Sequence, residues 1–518
     1  MSTSTRTSRA IPATDPSHLG PVLIVAGLAF LVHLPWLMQY GWFRDELYYR
    51  SCALRLDWGY VDQPPLSIAL LTTWRWLVGD SLFAMRLVPA AAHAVTVLVA
   101  ARLARALGGG TFAQALAGIG VFASLVYLAI GHYYSMNALD PLLWGLAALA
   151  LLRALARQRT TEWLAFGAIV GIGLLNKLSM VWCAGGLALG VLATPQRRSL
   201  GTPGPWLALA LAAVLFSPHL IWQAAHGWPT LEFVHNATAH KMLAISILGF
   251  LAGQVLAMNP LTAPIWLAGL VRGLRPGADP GARLLAVQYL AVLALLILAR
   301  SVRLEYLTPA YPALLALGGV AVERATEVPA RRWGRVLAVS LPLAGMMALL
   351  PLVVPVLPIG AFVRYQAALG RKPHTEERHR MGTLPQQYAD MFGWPEFADS
   401  VARAAATLTP DERERAIVIV GNYGEAGALE RFGTGRIPRV ACQHNSWYLW
   451  GPPDWDGGVA ILVGRDSSEC AREFSEVRVV GVAGHPLAMP YEQDLPIVVA
   501  RGFRPDLRTA WVQGKKYN

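Results

Sequence analysis

Long apolar runs alternate with short basic or polar breaks from residue 20 to about 358, and the pattern then changes. A helix that crosses a bilayer needs about 20 mostly apolar residues. The runs that approach this are 20–40, 84–106, 112–131, 139–156, 162–176, 178–194, 205–224, 244–271, 283–299, 307–322 and 333–358, about eleven spans. Two places strain the pattern. Lys177 separates the fifth and sixth runs, where one tilted helix would cover part of both, and Pro260 falls inside the eighth, where it breaks or kinks the helix. Between the first two runs lies GWFRDELYYRSCALRLDWGYVDQPPL (41–66), a polar and aromatic loop closed by Pro64 and Pro65. SIALLTTWRWLV (67–78) follows and is too short to span. Proline before it suits a helix start, and Trp74, Arg75 and Trp76 suit a helix lying at the bilayer interface; the alternative is the beginning of the second span.

Beyond about Gly360 charges become frequent. RAIVIVGNYGEAGALERFG reads as a buried strand, a glycine turn and a helix, and GVAILVG, EVRVVGVA and LPIVVARGF read as further strands. The expected architecture is an all-α polytopic membrane domain over 20–360, carrying a first outer loop at 41–82, followed by a small extracytoplasmic α/β domain over 361–518. The polar segment 1–19 is expected to be a cytoplasmic tail, and the apolar run after it, without a small-residue cleavage site, a retained helix rather than a removed signal. Cys442 and Cys470 lie in the C-terminal domain, where an oxidising compartment permits a disulfide and two buried thiols are the alternative.

Composition agrees with a membrane protein: 55% hydrophobic, 15% charged, mean hydropathy +0.41. The net charge of +12 does not form a basic face, which argues against nucleic acid as a partner. Its arginines fall instead in alternate breaks: Arg102 and Arg105; Arg153, Arg157 and Arg159; Arg197 and Arg198; Arg272, Arg275 and Arg283; Arg324, Arg331, Arg332 and Arg335. With a cytoplasmic N-terminus all five clusters come out cytoplasmic, as the positive-inside rule requires. The opposite breaks carry the unusual residues.

Among those, Asp45 and Glu46 form an acidic pair at the membrane surface, placed to deprotonate an acceptor hydroxyl, although Asp45 also suits capping of a helix beginning at Glu46. Asn137 and Asp140 precede Pro141, so Asp140 reads both as an N-cap and as a second active-site acid. Lys177, Arg300 and Arg303 are cations on the outer side, suited to a phosphate headgroup or to snorkelling. The aromatic rings of the first loop pack on sugars or form the interfacial belt. Tyr48, Tyr49, Tyr60, Gln63 and Tyr306 are the candidate substrate contacts. His219, His226, His235 and His240 with Glu232 match no standard metal-ligand spacing; no cofactor is assigned, and a divalent metal stays open.

Taken together, RDELYYRSCALRLDWGYVDQPPL, NALDPLLWGLAALAL, GIGLLNKLSMV, SPHLIWQAAHGWPTLEF, MNPLTAPIWLAGL and LEYLTPAYPALLAL resemble the dolichyl-phosphate-mannose–protein mannosyltransferase-like family of the C-type glycosyltransferase fold, which includes bacterial aminoarabinose–lipid A transferases. NYGEAGALERFG and HNSWYLWGPP look like the periplasmic domain of some bacterial members. The resemblance implies an inner-membrane enzyme that moves a sugar from a polyprenyl-phosphate donor to a lipid, protein or envelope-glycan hydroxyl at the outer membrane face. It maps the catalytic base onto Asp45, with Glu46 supporting, and a second acid onto Asp140. One departure stands out: the aminoarabinose transferases have a lysine before the paired prolines, where this chain has Gln63. The rival classes are a secondary transporter, against which no inverted repeat of interrupted helices is seen, and a membrane scaffold, which leaves the acidic loop unexplained.

Overall fold

The computed structural model describes residues 20–299, 303–452 and 454–518. These form two compact units: one of 20–37, Arg86–Leu220 and Ala244–Val354, the other of Met38–Met85, Ile221–Leu243 and Pro355–Asn518.

The first unit is built of helices. Five helices among the described residues are long and apolar enough to cross a bilayer: Leu82–Ala106, Met136–Arg157, Pro203–Ala225, Pro280–Ala299 and Pro329–Leu352. A sixth span arises if Ile247–Ala257 and Pro260–Leu274, bent by 87°, count as one. The expectation of about eleven spans is thus met only by five or six clear ones. Other apolar runs fold as shorter helices, because polar residues interrupt them. Ser124 splits the third run into Thr111–Phe122 and Leu125–Ile130, and Lys177 ends the helix Thr160–Asn176 before Met180–Leu192 begins. The bend anticipated at Pro260 is present. Asn259 there adopts φ +66°, caps the Leu261 amide with its side-chain oxygen, and donates Nδ2 to the Ala123 and Pro342 carbonyls. Backbone polarity freed by a broken helix is expensive in an apolar setting, and Asn259 supplies the missing partners.

Close helix contact in this unit uses small residues. A Cβ on Gly269 would stand 2.2 Å from the Leu314 carbonyl oxygen, and one on Gly318 would stand 2.1 Å from that of Ile265. The helices Ala263–Leu274 and Tyr311–Ala325 therefore meet backbone to backbone, as small residues allow in membrane bundles.

The second unit holds a five-stranded sheet of β1 (Ile417–Val420), β2 (Arg439–Cys442), β3 (Val459–Val463), β4 (Phe474–Ala483) and β5 (Leu495–Phe503), in the order β2-β1-β3-β5-β4. The β2, β1 and β3 strands are parallel, and β5 runs antiparallel to both β3 and β4. The all-apolar β3 is buried throughout, as a central strand covered on both faces should be. Four of the five strands follow the anticipated segments. The short β2, RVAC, carries too little pattern to be read. Cys442 and Cys470 are buried free thiols, which corrects the disulfide alternative.

The segment expected to be a polar loop contributes a helix, Arg44–Ala53. Eight of its ten residues are buried, so no amphipathic stripe announces it. The Phe43 amide donates to Glu46 Oε2 at 2.9 Å, and two carboxylates in the first turn favour the positive helix end. The helix cap is therefore Phe43, not Asp45. This helix packs on Tyr423–Phe432, the helix after β1, closely enough that a Cβ on Gly427 would lie 2.9 Å from the Leu47 backbone. Residues Leu66–Val78 form a separate helix ended by Gly79 at φ +107°, so this segment is not the start of the following span. Trp76, Leu77 and Val78 are exposed on it. The HGWPTLEFV tract supplies the helix Pro229–Asn236.

Gly318→Val should destabilise the first unit by about 1–3 kcal/mol or more through forced helix separation. The measurement is thermal unfolding in detergent; a melting temperature equal to that of the unaltered protein would contradict the backbone-to-backbone contact.

Candidate active site

In the second unit Asp45 lies on the first turn of Arg44–Ala53, and its side chain is 36% exposed. Tyr423, at the start of the helix after β1, donates its hydroxyl to Asp45 Oδ1 at 2.9 Å. Arg44 Nε stands 3.8 Å from the same oxygen. Both contacts converge on Oδ1, which leaves Oδ2 for another partner. Glu46 is fully buried and engaged in helix capping, so its place is structural.

Arg44 is itself buried. Its Nη1 donates to the Tyr491 hydroxyl at 2.5 Å, its Nη2 lies 3.8 Å from Asp390 Oδ2, and its guanidinium faces the Tyr423 ring. Tyr491 in turn donates to Asp390 Oδ1 at 3.0 Å. Burial raises the Asp390 carboxyl above its usual range, with Arg44 opposing.

The loop that follows is held from within. Tyr48 donates to Asp62 Oδ1 at 2.7 Å and lies 2.8 Å from Ser446 Oγ, whose hydroxyl donates to it, while Ser446 Oγ accepts from the Val61 amide. Tyr60 donates to the Arg55 carbonyl and accepts from the Asp57 amide. Tyr49 is buried against Tyr48. These three tyrosines shape the loop from its interior. Asp62 is partly buried, and desolvation pushes its carboxyl up to about 6 in spite of the hydrogen bond from Tyr48. Gln63 is 1% exposed, and neither of its amide atoms has a hydrogen-bond partner.

The first unit holds the other group. Ser135 caps the helix Met136–Arg157 by accepting from the Asn137 amide, so Asp140 is not the N-cap; it lies inside the helix and is 2% exposed. Ser179 donates to Asp140, with both carboxylate oxygens 2.8 Å away. Lys177 Nζ lies 3.6 Å from Asp140 Oδ2 and donates to Asn137 Oδ1 at 2.7 Å. The Lys177 ammonium also stands 5.1 Å from the Tyr306 ring centre, and Arg303 pairs with Glu305 at 3.7 Å. Arg300 lies outside the described residues.

Several acids of the second unit escaped the sequence reading. Glu425 and Glu492 are both buried, bridged by Asn422 Nδ2 at 2.7 and 2.8 Å. Desolvation raises both carboxyls. Asp62 stood in plain view before the paired prolines, a signal as good as that of Asp45; Asp390, Glu425 and Glu492 carry no local motif. Among the described residues no three His, Cys, Asp or Glu side chains converge to hold a metal, so no step is derived through one.

Residues 62–222 match the family described as dolichyl-phosphate-mannose-protein mannosyltransferase. The chain is 25% identical over 317 residues to the lipid A galacturonosyltransferase RgtD of Rhizobium johnstonii, covering 60% of this chain and 65% of that protein. It is 29% identical over 221 residues to the undecaprenyl phosphate-alpha-4-amino-4-deoxy-L-arabinose arabinosyl transferase of Pectobacterium atrosepticum, covering 39% of each. The chain thus spans less than two thirds of the length of either relative. Among solved structures, ArnT from Cupriavidus metallidurans bound to undecaprenyl phosphate superposes with a TM-score of 0.62 at 16% identity, over 94% of this chain and all of that one. The oligosaccharyltransferase AglB from Archaeoglobus fulgidus gives 0.53 at 10% identity, over 82% of this chain and 64% of that one. The family resemblance read from the motifs is borne out, and the chain has the C-type glycosyltransferase fold that these structures share.

Proposed function

We propose that this protein is an integral-membrane glycosyltransferase that moves a sugar from a polyprenyl-phosphate donor to a hydroxyl acceptor at the outer face of the inner membrane. In this reading 361–518 is extracytoplasmic. The relatives act on lipid A or use an undecaprenyl phosphate-linked sugar by name, and the transporter alternative has no counterpart among them. The observation that carries the reading is the Asp45 carboxylate, partly exposed and held at Oδ1 alone by the Tyr423 hydroxyl, in a chain with this fold.

The chemistry is direct displacement. Asp45 Oδ2 takes the acceptor proton as the acceptor oxygen attacks the anomeric carbon, and the polyprenyl phosphate leaves with the bonding pair. Negative charge then builds on the phosphate and needs fixed donors. Lys177 suits this role. An ammonium has three N–H donors, and only the Asn137 contact is at hydrogen-bonding distance; Asp140 at 3.6 Å orients the group without consuming a second. Arg303 and Tyr306 complete the proposed phosphate side; Gln63, buried and unpaired, is the proposed neutral contact to the substrate.

A second reading makes Asp62 the base. It is favoured by a carboxyl pushed up to about 6, near the pH at which a base works best. Against it, Tyr48 already donates to this carboxylate from inside the loop.

Asp45→Asn should lower sugar transfer from polyprenyl phosphate by about 10²–10⁴-fold, and Tyr423→Phe should lower kcat more than KM. Full transfer by Asp45→Asn, assayed in detergent with radiolabelled donor, would exclude Asp45 as base. Asp62→Asn should stay within about tenfold of the unaltered enzyme; a loss as deep as that of Asp45→Asn favours the second reading.

The folded-state carboxyl of Asp62 lies above its unfolded value of about 3.9, so its contribution to stability is complete below that pH and lost as pH rises through 6. The melting temperature of Asp62→Asn, measured against the parent protein, should therefore gain steadily between pH 4 and 6 and level off above. A constant difference across that window would show that Asp62 is not perturbed.

A further inference from the structure

The second unit contains a cavity of about 700 Å³ that the displacement chemistry does not use. It opens where β1 ends, at Val420, Gly421 and Asn422. That is the carboxyl edge of three parallel strands, with the chain leaving β1 for β2 on one side and β3 lying on the other. Open α/β sheets bind ligands at such a point, where neighbouring connections diverge and leave a crevice.

The lining is chemically lopsided. Arg44, Lys241, Arg378 and Lys516 bring four cationic side chains to it. Of the carboxylates on the same wall, Glu473 is tied to Arg465 by two hydrogen bonds, and Glu425 accepts from the Gly421 amide and Asn422. Arg44 is met by Asp390 and Lys241 stands 3.6 Å from Glu377, so Arg378 and Lys516, which form no ion pair among the described residues, are the cations left for an anionic group.

His444 adds a second, independent feature. It is 6% exposed, and its Nε2 lies 3.0 Å from the main-chain oxygen of Asn518. An oxygen there accepts, so Nε2 carries the proton and Nδ1 bears the lone pair. That Nδ1 is buried, has no hydrogen-bond partner and belongs to a residue lining the cavity. A buried acceptor without a donor is costly, and a ligand hydroxyl would satisfy it. Trp511 and Tyr491 line the same space with aromatic rings of the kind that pack on sugar rings. Arg44, one wall of the cavity, also stands 3.8 Å from Asp45.

We propose that this cavity binds the acidic, hydroxyl-bearing end of the acceptor: a saccharide carrying a phosphate or a carboxylate, presented beside Asp45. Arg378 and Lys516 take the acid group, His444 Nδ1 and Glu425 accept ring hydroxyls, and the aromatic faces carry the ring. This rests on the glycosyltransferase reading for the word acceptor, but the binding itself does not.

Isothermal titration of the full-length Asp45→Asn protein in detergent tests it with four probes: glucose 1-phosphate, glucuronic acid, glucose and inorganic phosphate. At least one charged sugar should bind saturably, at least tenfold tighter than both glucose and inorganic phosphate, and the stronger of the two names the acid group. The double variant Lys516→Ala/Arg378→Ala, altered only at exposed side chains, should lose tenfold or more of that affinity while keeping the melting temperature. Equal binding of glucose, equal binding of inorganic phosphate, an affinity unchanged in the double variant, or no saturable binding each overturns the proposal. Absent sugar transfer by the unaltered enzyme, with charged-sugar binding intact, would overturn the glycosyltransferase reading alone.

Discussion

A buried guanidinium is the constraint on which the second unit depends. Taking Arg44 out of water carries a desolvation cost of several kcal/mol unless its donors are met. Three distant stretches of the chain meet them: Asp390 accepts through charge, Tyr491 through its hydroxyl, and Tyr423 offers its ring. The same contacts bring Tyr423 to Asp45. Because a buried charge tolerates few arrangements, the cluster locates one carboxylate oxygen closely while leaving the other uncommitted. A proton acceptor needs that combination of fixed position and spare lone pair.

Asp45 was expected as the base and Asp140 as a helix cap or a second active-site acid, and their surroundings differ. Asp45 is reachable from solvent and held by one neutral hydroxyl and one long ionic contact. Asp140 is buried and satisfied, with Ser179 on its oxygens and Lys177 alongside. A carboxylate so engaged can orient the lysine, but it has little left with which to draw a proton from an incoming hydroxyl. One residue type thus stands in two environments, one open to a further partner and one already engaged.

The sequence made the membrane unit legible through length and hydropathy, and the sheet through its apolar strand segments. The clear spans are fewer than the apolar runs because hydropathy averages over single polar residues. Ser124 lies at the break before Leu125–Ile130 and Lys177 ends Thr160–Asn176, neither dimming the surrounding run. From sequence, 41–66 reads as loop, since a helix buried on nearly all sides has no polar stripe to give it away. Asp45 and Asp140 were findable because each sits in a compact local motif. Tyr423, Asp390 and Glu425 were not: each takes its meaning from a partner far away in the chain, and spacing holds no trace of such contacts.

The Gln63 substitution gains a sharper sense from these geometries. A lysine at that position would be a full charge in a place now 1% exposed, and burial of an unpaired ammonium is prohibitive without an anion beside it. The amide carries no such demand, yet it leaves two polar atoms unmatched, at a cost of about 1–3 kcal/mol for each group left unmade. A neutral group that both donates and accepts fits a hydroxyl better than a phosphate dianion. In the first unit, Asp140 holds Lys177 at ion-pair rather than hydrogen-bond distance, so N–H donors remain on its ammonium beside the one given to Asn137. A glutamine at position 63 thus differs from a lysine in the kind of atom it can recognise.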